Sequence, residues 1–146
     1  MAGALTGTLV PARFLLTLGN MIVTLLAFFH RDRNVRAGLA VSASEDDVDA
    51  ASASLTFALV LSFLSVFLSF VNLVGGCSMF SARVSSVHIV LQFLSAVATS
   101  AFIVDGTHYA AYWHIFLVGN LVPLLLETAV LLQVFVFKVK PWHRQQ

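Results

Sequence analysis

Four apolar stretches, at about 12–29, 55–75, 87–104 and 112–137, contain no lysine or arginine apart from Arg13 at the edge of the first. At about 1.5 Å per residue the first three match a hydrocarbon core of about 30 Å, while the fourth is longer and should tilt, kink or emerge. Leucine, valine, phenylalanine and alanine dominate without the alternation of a barrel strand, and a closed barrel needs about eight strands or more. A chain of 146 residues that is 59% hydrophobic and 10% charged also lacks the polar surface a soluble domain requires. The expectation is an all-α integral membrane four-helix bundle, with residues 1–146 forming a single four-span domain.

The first stretch is expected to be kept as a span, not cleaved as a signal. It ends in His30-Arg31-Asp32-Arg33, where a cleavage site would have small residues. Pro11 suits the first turn of that span, where a missing N–H costs nothing. The longest polar segment follows at 31–54. Within it Ser44 and Asp47 have the spacing of a capping box that would start a short helix. Gly75-Gly76 should close span two, and Asp105-Gly106 should turn the chain after span three. Tyr112 and Trp113 at the entry of span four, and Trp142 beyond its exit, fit amphipathic rings at headgroup level.

An even number of spans places both termini on one side. That side carries Arg13, Arg83, Lys138, Lys140 and Arg144, against Arg31, Arg33 and Arg36 on the other. The balance favours cytoplasmic N- and C-termini.

Polar residues recur at helical spacing within the spans. Thr17, Asn20 and Thr24 lie in span one, and Ser62, Ser65, Ser69 and Asn72 in span two. His88, Gln92, Ser95 and Thr99 lie in span three, and Asn120 and Glu127 in span four with Pro123 between them. Steps of three and four keep each set on one face, and in lipid such a face turns toward another helix. Two readings follow: a packing seam, which is favoured, or a hydrophilic path or binding pocket. Glu127 is the one formally charged group deep in a span, so it should be neutral, paired or wetted. A neutral acid bonded to a neighbouring helix would tolerate Glu127→Gln but not Glu127→Lys. Pro123 clashes with the carbonyl of Gly119, so a kink is expected near Gly119-Asn120.

Enzyme chemistry finds no support. His30, His88, His108, His114 and His143 form no HExxH or similar ligand set, and no GxSxG, Walker or Rossmann pattern occurs. Cys77 is the only cysteine, so an internal disulfide is impossible. No cofactor or metal is expected. The eight basic residues are scattered without a basic face, which excludes nucleic acid as an expected partner.

In order along the chain come Val10-Pro11-Ala12-Arg13-Phe14-Leu15, Arg31-Asp32-Arg33-Asn34-Val35 and Gly76-Cys77-Ser78-Met79-Phe80-Ser81. Then follow Tyr112-Trp113-His114-Ile115-Phe116, Val122-Pro123, Glu127 and Lys138-Val139-Lys140-Pro141. These blocks, in this order and on a four-span frame, resemble the transmembrane protein 107 family over nearly the whole chain. The acidic, alanine- and serine-rich segment 42–54 departs from the family's plain polar loop.

The resemblance implies a non-enzymatic membrane component of the Meckel syndrome (MKS) module at the ciliary transition zone. Such a component supports cilium assembly, limits which membrane proteins enter the cilium, and supports Hedgehog-type signalling. It further implies tectonics, B9-domain proteins and other small multispan proteins as partners, with membrane lipids around the spans. Arg13, Met79, Phe80, Trp113, Pro123, Glu127 and Lys138 would be topology and packing determinants. Two other classes share the composition: an accessory membrane subunit of another large complex, and a small oligomeric channel or transporter built around the Glu127 face.

Overall fold

The computed structural model describes residues 2–75 and 82–136. Among the described residues every regular element is helical, and four helices are long and apolar enough to cross a membrane. Helix α1 spans Ala2–Phe29, α2 Arg31–Gly38, α3 Glu45–Val74, α4 Ala82–Asp105, α5 Ala111–Phe116 and α6 Val122–Phe135. A π-helical turn, Leu117–Leu121, joins α5 to α6, so the three pieces form one last span.

The helix ends follow from local chemistry. Helix α3 starts at Ser44, whose hydroxyl accepts the Asp47 N–H while the Asp47 carboxylate accepts the Ser44 N–H. Glu45, Asp46 and Asp47 in its first turn suit the positive end of the helix dipole. The box therefore opens the second span itself, in place of the separate short helix expected from the sequence. At 30 residues α3 is about 45 Å long, so its acidic start stands outside a hydrocarbon core of about 30 Å. Helix α1 likewise begins well before the expected boundary, and Pro11 lies inside it instead of in its first turn. Helix α4 stops where Gly106 takes a left-handed conformation at φ 58°.

Helix α2 was not anticipated, and its work is at the end of α4. Asn34 Nδ2 donates to the Phe102 carbonyl at 2.7 Å and Arg33 donates to the Val104 carbonyl at 3.1 Å. The last carbonyls of a helix have no intrahelical partner, and these two side chains supply one.

The sequence also explains the π turn. Pro123 cannot donate to the Gly119 carbonyl and its ring would collide with that oxygen. The turn widens, and the Val122 N–H bonds instead to Leu117, five residues back. The kink expected near Gly119-Asn120 thus takes the form of a π bulge.

Helix α1 packs on α3 and α4, and the last span also packs on both. Span one therefore faces span four across the bundle. Near α2 the centre is apolar, with Leu55, Leu59, Phe102 and Tyr112 among the buried side chains. Elsewhere it is polar: Thr17, Asn20, Ser65, Ser69, Gln92 and Asn120 are all buried. The outside carries Phe57, Val60, Leu64, Phe67, Val90 and Phe93, each at least 44% exposed. Polar inside and apolar outside is the reverse of a soluble protein and is stable only in lipid. Since lipid is as apolar as leucine, close packing and interhelical hydrogen bonds hold the spans together.

Candidate functional site

Each of the four spans places a polar side chain in one cluster toward the end of the bundle opposite α2. Arg13 comes from α1, Asn72 from α3, His88 from α4 and Glu127 from α6. Arg13, His88 and Glu127 are each 1% exposed. The Arg13 guanidinium donates to Glu127 Oε1 as an ion pair. Asn72 Nδ2 donates to Glu127 Oε2 at 3.0 Å, so both carboxylate oxygens are engaged. His88 Nδ1 lies 3.4 Å from Arg13 Nη2 and 3.7 Å from Glu127 Oε1.

Arg13 reaches this cluster because α1 starts at Ala2, about three turns before it. The sequence reading put Arg13 at the span's edge as an interfacial, topology-setting residue, and the structure corrects that to a buried ion-pair partner. Of the three states expected for Glu127, neutral, paired or wetted, the structure shows the paired one, with His88 beside the pair. Since Arg13 is the single cation and Glu127 the single carboxylate in the four apolar stretches, that coincidence was the signal available in the sequence.

A second layer lies about two turns deeper along α1. Asn20 donates to Gln92 Oε1, joining α1 to α4. The Thr17 and Thr24 hydroxyls donate at 2.8 Å to the carbonyls of Arg13 and Asn20, four residues before each. At about the same depth, seven residues from Asn72 and from Glu127, Ser65 donates to the Asn120 carbonyl at 3.0 Å, tying α3 to the π turn. Gly119 lies against Ser95 of α4 so closely that an added Cβ would overlap the serine side chain. Ser69 is buried one turn before Asn72 on α3, and Pro123 sits at the start of α6 between Asn120 and Glu127.

The aromatic pair at the entry of span four divides. Trp113 is part-buried and donates from Nε1 to Ser54 at 3.2 Å. Tyr112, expected at headgroup level, is 0% exposed and packs on Phe102 with ring centroids 5.4 Å apart. Its interfacial reading is corrected to a core position, reached because α2 and the start of α3 cover that end of the bundle. Lys138, Lys140 and Trp142 lie outside the described residues, as do Met79 and Phe80. Among the described residues no group of three potential metal ligands occurs.

Chemically this arrangement is a latch. The guanidinium and carboxylate neutralise one another, and the amides pair across helices, so polar groups of all four spans meet inside the bundle. A helical bundle with its polar groups turned inward and its apolar surface turned outward is a polytopic integral membrane protein. The sequence pattern of a family described as TMEM107, transmembrane protein, matches residues 9–131. The chain is 31% identical to transmembrane protein 107 of Homo sapiens over 134 residues, which are 92% of this chain and 96% of the human one. It is 30% identical to that of Mus musculus, covering 96% of this chain and 99% of the mouse one. Against that of Danio rerio it is 27% identical, covering 86% and 93%. The chain belongs to the transmembrane protein 107 family. No solved structure matches it.

Proposed function

We propose that this protein is a non-enzymatic membrane component of the ciliary transition zone, acting in the MKS module. In this reading it helps a ring of membrane proteins limit lateral diffusion between the cell body and the cilium. Its partners are tectonics, B9-domain proteins and other small multispan proteins, and cilium assembly and Hedgehog-type signalling depend on it. The observation that carries the proposal is family membership over 92% of the chain, joined to a bundle that turns its polar groups inward. Such a bundle offers partners its lipid-facing helix sides and short loops, which suits a scaffold held within the membrane plane.

Both termini are proposed to be cytoplasmic. Removing the buried Arg13 from the count leaves Arg83, Lys138, Lys140 and Arg144 against Arg31, Arg33 and Arg36. The sign of the bias is unchanged. The channel alternative needs a polar face free to line a pore, and here Arg13 and Asn72 already occupy both oxygens of Glu127. An accessory subunit of another complex would share the architecture and differ in its company. Isolation of the tagged protein from ciliated cells in mild detergent separates the two: tectonics and B9-domain proteins should co-purify. Recovery of a respiratory or other unrelated complex in their place would overturn the proposal.

A further inference from the structure

A crevice between α1 and α3 runs from the membrane surface into the bilayer. Its deeper part is an apolar trough of about 210 Å³ walled by Leu25, Phe28, Val60, Phe63 and Leu64. Val60 also borders a wider cavity of about 570 Å³ nearer α2, where Arg31, Asp49, Ser52 and Thr56 line the wall. The two meet at Val60, the one polar-lined near the surface and the other apolar below. Depth follows from the helix: Asp49 and Ser52 lie in the part of α3 that precedes its apolar run, and Leu64 lies two to three turns further in.

Phe28 links the two parts. It walls the trough, and the Arg31 guanidinium stands over its ring at 4.7 Å from the centroid. That contact holds a cation at the mouth of an apolar groove. Arg31 meets Asp32 through Nε at 3.5 Å, and its side chain remains 32% exposed. A guanidinium carries about five N–H donors in a fork suited to phosphate, and one long contact leaves most of them available.

We infer that this crevice binds one zwitterionic phospholipid from the surrounding leaflet, with its phosphate on Arg31, its ammonium group toward Asp49 and an acyl chain in the trough. The charged residues that line the mouth, Arg31 and Asp49, match a headgroup bearing one charge of each sign. An anionic headgroup would bring its extra charge against Asp49. A sterol would set a single hydroxyl among two charged groups and use neither.

Photo-crosslinking in nanodiscs tests this on the intact protein. Three probes carry a diazirine in the apolar part: a choline-headgroup phospholipid, a glycerol-headgroup phospholipid and a sterol. The choline probe should label most strongly, with adducts concentrated at residues 25–28 and 60–64. Arg31→Ala should lower that labelling roughly fivefold, the loss expected for one surface charge contact. Val60→Trp, which fills the trough, should abolish it. Labelling spread evenly over the exposed faces of α1, α3 and α4 would overturn the inference, as would stronger labelling by the glycerol or sterol probe. The wild-type distribution decides the matter even where a variant fails to fold.

Discussion

Arg13 and Glu127 lie 114 positions apart in the chain, and each is the reason the other can be inside a membrane. A lone carboxylate or guanidinium at that depth is costly, and the pair with its Asn72 hydrogen bond spreads the charge over fixed dipoles. Glu127→Gln should therefore be harmful, against what the sequence alone suggests, because it strands the Arg13 guanidinium. The expected loss is about 3 kcal/mol, a large share of a typical stability of about 5–15 kcal/mol. Arg13→Gln should cost a similar amount by stranding the carboxylate. The double replacement should recover much of the loss, since no charge is left unpaired. Thermal unfolding in detergent, followed through tryptophan fluorescence, reads all three variants. Wild-type stability in Glu127→Gln would dispose of the latch.

Among the elements, the last span carries the most unusual local chemistry. Pro123 forces the π turn, and the turn leaves the Asn120 carbonyl within 3.0 Å of the Ser65 hydroxyl. Beside it, Gly119 permits α4 to approach so closely that the Ser95 side chain occupies the space of a Cβ. Gly119→Ala should push α4 from the last span, lowering the unfolding temperature by a margin equivalent to about 1–3 kcal/mol. Ser95→Gly, which removes the colliding atoms, should restore part of it. No change in the single variant would show that the approach is looser than described.

The four spans and the kink were legible because apolar runs and proline act through local physics. The polar faces were legible too, since Asn20, Ser65, Asn72, Gln92, Asn120 and Glu127 all fall at helical spacing. What the sequence withheld was pairing across the bundle. A charge at the apparent end of a span reads as an anchor until the true helix start is known, and Pro11 disguised that start. Helix α2 stayed hidden because its residues, Arg31–Gly38, are polar and its function, capping α4, is set by residues about 70 positions away.

At the scale of the whole molecule, the inverted distribution of polarity places the protein in a bilayer. The proposed ciliary role joins membership of the transmembrane protein 107 family to a bundle that would meet partners side-on. The most direct test of that role is the position of the protein, tagged at its endogenous level, in ciliated cells stained for a basal-body and an axonemal marker. A focused signal between the two markers is the expected result. A mitochondrial or general endomembrane signal would leave the four-span bundle intact and contradict the ciliary account.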